Sequence, residues 1–100
     1  MSVSDKYPQM TKGKAIEHCK HWGEAIRHDG IELLVSDYEA AVTLSDSLAY
    51  PLEMQKWITA ESEPLLNEIC AYAVVVDNDH TNRAAWEKLL ELIDTLDPLP

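Results

Sequence analysis

Residues 64–77, Pro64-Leu65-Leu66-Asn67-Glu68-Ile69-Cys70-Ala71-Tyr72-Ala73-Val74-Val75-Val76-Asp77, decide the fold. Three consecutive valines are β-branched and favour a strand over 73–77. Leu65, Leu66, Ile69, Cys70, Tyr72, Ala73 and Val76, however, recur at the spacing of a helix face. A strand needs a partner, and no convincing one exists. The short apolar run Ile31 to Val35 reads equally well as strand or helix. We therefore read 64–77 as a helix, apolar almost all round in its C-terminal half and so central and buried. Ser62-Glu63-Pro64 provides its start: a capping hydroxyl, an acid for the helix dipole and a proline in the first turn.

The same logic extends in both directions. Asp77-Asn78-Asp79-His80-Thr81-Asn82 is a polar turn with several candidate caps, Asp77 and Asp79 among them. A last helix runs from about Asn82 to Leu96, with Trp86, Leu89, Leu90, Ile93 and Leu96 inward. Near the N-terminus, Ile16, Cys19, Trp22, Gly23 and Ile26 share one arc of a helix that Asp29-Gly30 stops. Ser36-Asp37-Tyr38-Glu39 has capping-box spacing and predicts a second helix from near Asp37 through Ala49. An uninterrupted helix from Ile31 is the competing reading. Pro51 is expected to end that element and to open a short third helix over Leu52–Ile58. The sum is an all-α fold: one small bundle of about four to five helices with short loops, a single domain over 1–100. Residues 1–10 read as a loose arm and 97–100 as a tail.

Eighteen Asp and Glu stand against eight Lys and Arg, a formal net charge of −10. The charge is unevenly placed: residues 1–28 carry +2, and residues 29–100 carry −12. Such a surface excludes direct binding to nucleic acid or to an anionic membrane, which require basic patches. With 46% hydrophobic residues the chain is no acidic disordered tail. Cys19 and Cys70 sit among apolar neighbours and are too few for a disulfide framework, so reduced thiols and a cytoplasmic location are expected. The opening MSVSDKYPQM has no cationic segment followed by an apolar one, so no signal peptide is expected.

No nucleophile elbow, P-loop, dinucleotide-binding turn or C-x-x-C occurs, and no enzyme or cofactor is predicted. Glu17, His21, Glu24 and His28 form a stripe of metal-ligand types spaced 4, 3 and 4 apart. That stripe lies almost opposite Ile16, Cys19 and Ile26, so it reads as a solvated face and not as a metal site. Asp77, Asp79 and His80 lack the donors and glycine of a calcium loop.

Carboxylate patterning is the more informative feature. Glu87, Glu91 and Asp94 lie at i, i+4 and i+7, away from Trp86, Leu89 and Ile93. Glu61, Glu63 and Glu68 surround the start of the preceding helix, with Asp77 and Asp79 between the two helices. Packed as a hairpin, these helices would present an acidic stripe whose charges are spaced comparably with successive phosphates. Trp22 and Trp86 belong to inner stripes. Trp57 is a core residue or, beside Met54, an interface anchor.

The expected function is a protein-binding inhibitor or adaptor that docks on a basic, nucleic-acid-handling protein. A small, acidic, helical chain free of catalytic motifs has a profile often found in inhibitors of host nucleases encoded by phages and mobile elements, and an anti-restriction or anti-CRISPR type protein, acting by nucleic-acid mimicry, is the concrete form expected. An immunity protein or antitoxin neutralising a basic toxin is the alternative, and a metal-binding enzyme or sensor using the Glu17/His21/Glu24/His28 stripe is the third. A homodimer is compatible with each.

Overall fold

The computed structural model describes residues 9–96, and among these it contains five helices and no strand. They are α1 (Lys12–Asp29), α2 (Ile31–Ser36), α3 (Tyr38–Glu53), α4 (Pro64–Asn78) and α5 (Arg83–Asp94). The all-α expectation holds, and the valine run is helical. The tail at 97–100 and the first eight residues of the expected arm lie outside the described residues.

Thr11 starts α1 by accepting a hydrogen bond from the Lys14 amide at 3.2 Å. Gly30 ends it at φ 88°, a conformation that costs glycine little. The same residue opens α2: its N–H donates to the Ile26 carbonyl and its own carbonyl accepts from Leu34. The run at 31–35 is thus a helix, but not one continuous with α3. Asp37 is extended, at φ −117° and ψ 105°, and its carboxylate accepts from the Ala40 amide at 3.2 Å. The expected capping box therefore does not form, since Ala40 at the third helical position has no polar side chain to bond back to the cap. Asp37 caps α3, while the Ser36 hydroxyl donates backwards to the carbonyls of Glu32 and Leu33.

Pro51 corrects a second expectation. It lies inside α3, which continues to Glu53, and residues 54–63 form turns in place of the expected helix over Leu52–Ile58. Proline removes one amide donor from the last turns of α3. Burial of Leu48, Ala49 and Leu52 on both sides of it outweighs that loss. Gln55, 2% exposed, then locks the helix end: its Nε2 donates to the Pro51 carbonyl and its Oε1 accepts from the Met10 amide at 2.8 Å. Met10 packs against the core, so the last part of the expected loose arm is docked.

The start of α4 also differs in detail. Pro64 occupies the first turn as expected, but Glu63 is the N-cap and provides no side-chain cap. The Ser62 hydroxyl instead donates to the Trp57 carbonyl at 2.6 Å and contacts the Thr59 hydroxyl. Asn82 caps α5 through the Ala85 amide at 3.1 Å.

The core is one cluster drawn from all five helices. α4 packs mainly on α3 and α5, with Leu66, Ile69, Ala73 and Val76 inward. It is not buried all round: Ala71 and Val75 face solvent because no helix covers that side. Trp86 is completely buried, and its Nε1–H donates to the His80 carbonyl at 2.9 Å. α1 and α5 meet at Gly23, where an added Cβ would lie 2.8 Å from Ile93 Cγ2. Among the described residues no helix is long and apolar enough to cross a membrane.

Candidate protein-docking surface

The carboxylates expected to form one stripe fall into three groups. Glu61, Glu68 and Glu87 are exposed and have no ion-pair or hydrogen-bond partner among the described residues. Glu91 and Asp94 are exposed but opposed by cations: Lys88 Nζ lies 3.8 Å from Glu91, and Arg27 of α1 binds Asp94. The remaining three are engaged by neighbouring groups, Glu63 and Asp77 partly buried and Asp79 exposed. Glu63, with a side chain only 13% exposed, has the Lys12 ammonium 2.9 Å from its Oε1. Asp79 accepts from the Thr81 amide and hydroxyl and so shapes the turn before α5. Asp77 turns toward α3, where the fully buried Ser45 hydroxyl donates to it at 2.8 Å.

Asp77 also meets Asp46, which patterning did not single out. A hydrogen bond between these two carboxyls, with some burial and the charges of Asp77 and Glu53, pushes the Asp46 pKa up to about 6. Asp46 and Asp77 lie far apart in sequence, and only the α3–α4 packing brings them together.

Trp57 is half-buried against the core, as are Trp22 and Met10. Glu17, His21, Glu24 and His28 are all exposed. Their charged neighbours are local: Lys14 for Glu17, Arg27 for Glu24 and Asp29 for His28. Among the described residues no three His, Cys, Asp or Glu side chains are grouped to hold a metal ion. Both thiols are free, and burial pushes Cys19 up to about 12 and Cys70 up to about 11.

Two concave regions flank α1. One, of about 590 Å³, is lined by Gln9, Met10, Lys14, Glu17, His18, His21 and Pro51. At its wall the His18 Nε2 lies 3.0 Å from the Leu48 carbonyl. Burial lowers the His18 pKa, with His21 adding to the effect, while the bond to Leu48 opposes it. The other region, of about 420 Å³, lies between α1 and α3. Trp22, Ala25, Ala40 and Leu44 form its apolar part, and Asp29, Asp37, Glu39 and Thr43 complete its lining. Sequence patterning treated Asp37 and Glu39 only as capping residues. Their nearness to Trp22 has no periodic signature, because it depends on how α1 crosses α3.

No protein-family model matches the chain, and no curated protein or solved structure shows significant similarity to it.

Proposed function

We propose that this protein is an inhibitor or adaptor that acts by docking its acidic surface on a basic, nucleic-acid-handling protein. The anti-restriction or anti-CRISPR type encoded by phages and mobile elements is the concrete form of that reading. One observation carries it: Glu61, Glu68 and Glu87 project outward with no compensating cation among the described residues, within a segment of net charge −12. Carboxylates serving only internal structure would be expected to resemble Glu63 and Asp77, which are engaged by Lys12 and Ser45. A strongly negative face on a rigid bundle attracts a cationic groove over long range and speeds encounter.

Titration against basic host nucleases at two salt concentrations tests this. The affinity is expected to fall steeply from about 0.1 M to about 1 M salt, as the Debye length shrinks from about 10 Å to about 3 Å. The Glu61→Lys/Glu68→Lys/Glu87→Lys protein is expected to lose the salt-sensitive part. Binding that is unchanged by salt and by charge reversal would overturn the electrostatic reading.

A further inference from the structure

The groove between α1 and α3 combines an apolar floor with charge of a single sign. Trp22 and Ala25 on α1 face Ala40 and Leu44 on α3. Three carboxylates, Asp29, Asp37 and Glu39, line it with Thr43, and among the described residues no basic side chain does. We infer that this groove receives an arginine side chain of the basic protein partner. The identity of the occupant as part of a protein rests on the proposed function, whereas the chemistry of the groove stands by itself.

Local structure explains only part of this carboxylate set. Asp37 Oδ1 is committed to the Ala40 amide as the cap of α3, which leaves its second oxygen for a ligand. Glu39 is exposed and has no partner among the described residues. Asp29 lies 3.5 Å from His28 Nδ1, but that ring is itself 90% exposed and does not line the groove. Arg27, the nearest strong cation in sequence, is drawn away toward Asp94 and Glu24. Among the described residues the groove is thus lined by carboxylates with no cation among them, beside a half-buried indole that the His21 ring meets edge-on, 5.0 Å between centroids.

An arginine satisfies both features at once. Its methylene stem covers apolar surface while the head stays at the rim. The planar guanidinium stacks on an indole and donates in a fixed fork to carboxylates, which a lysine ammonium does less well. A purely apolar occupant would bury the acids without a partner, and an anion would be repelled.

The test uses L-argininamide as the probe and the full chain, labelled with ¹⁵N. Saturable shifts are expected at the Trp22 indole N–H and at the Ala25, Ala40 and Thr43 amides, with a Kd on the order of 1 mM. Norleucinamide, which has the stem without the fork, is expected to give no saturable shift at these positions. In Asp29→Asn/Glu39→Gln the affinity should fall about fivefold, as for two exposed charge pairs. Thr43→Arg puts a guanidinium on the exposed rim of α3 without touching the core and should abolish binding by self-occupation. Its helical circular dichroism, matching the parent, establishes that it is folded. The assignment is overturned by absent or non-saturating shifts, by equal binding of lysinamide, or by unchanged binding in Thr43→Arg. Failure of the nuclease titration with a positive argininamide result would remove the proposed function and leave the groove. The reverse pair of results would remove the groove alone.

Discussion

The Ser45 hydroxyl on α3 donates to the Asp77 carboxylate on α4 at 2.8 Å, and Asp46, the next residue after Ser45, shares a hydrogen bond with that same carboxylate. Ser45 is fully buried, so this small polar cluster fastens the two helices that make the most extensive contact in the bundle. Ser45→Ala is expected to cost about 1.5 kcal/mol or more, because a charge-assisted bond is lost from a buried donor. Urea unfolding measures it. A loss no larger than that of an exposed serine such as Ser36→Ala would show the cluster to be energetically idle.

The Asp46 carboxyl gives this cluster a pH dependence of unusual sign. Its pKa in the fold, about 6, lies above its ordinary value of 3.8, so the folded state holds the extra proton. The stability from that proton is fully present below about 3.8 and is lost as pH rises through about 6. The difference in stability between Asp46→Asn and the parent should therefore shift in favour of the variant between these values. Asparagine keeps a donor and carries no charge to repel Asp77 and Glu53. A pH-independent difference would refute the shared proton.

His18 acts in the opposite direction. Its pKa is lowered from 6.5, chiefly by burial, so the fold favours the neutral ring beside the Leu48 carbonyl. Stability from His18 is present above 6.5 and is lost as pH falls through its lowered value in the fold. Nuclear magnetic resonance of the ring protons should show a midpoint below 6.5. In His18→Gln the acid-side loss of stability should shrink.

Gly23→Ala tests the close approach of α1 and α5. The helix gains roughly 0.5–1 kcal/mol from replacing glycine. The new methyl would meet Ile93 Cγ2 at 2.8 Å, a branch fixed to Cβ that cannot swing aside as a flexible chain end would. Such overpacking costs about 1–3 kcal/mol, so a net loss is expected. Ile93→Leu removes the β-branch, and the double variant should recover part of the difference.

Arg27→Ala separates stability from docking. Arg27 is a solvent-exposed cation bound to Asp94, and the unfolding midpoint is expected to change little. Removing it leaves Asp94 uncompensated beside the exposed α4–α5 acids, so association with a basic nuclease should quicken at low salt. A slower association would argue against that face as the docking surface.

What was legible in the sequence follows from how local each determinant is. Ile16, Cys19 and Ile26 on α1, and Trp86, Leu89 and Ile93 on α5, announce themselves by periodicity and are all buried. Pro51 misled because its effect on α3 is decided by the burial of Leu48, Ala49 and Leu52, which is a tertiary matter. Ser36 and Asp37 are both competent caps, and only the break after α2 decides that Asp37 is used. The outward positions of Glu61, Glu68 and Glu87 could be inferred from pattern. The Asp46–Asp77 meeting and the groove beside Trp22 join residues from different helices, and no spacing rule encodes them.

The depth of Cys19 makes it a natural reporter of unfolding. Fully buried and protonated to about 12, its thiol offers no nucleophile to a labelling reagent while α1 stays seated. Modification then requires the bundle to open, so the slow phase of a simple thiol-labelling reaction times that opening. A bound partner that holds α1 against α3 would lengthen that time, giving a readout of docking that needs no added fluorophore and no mutation.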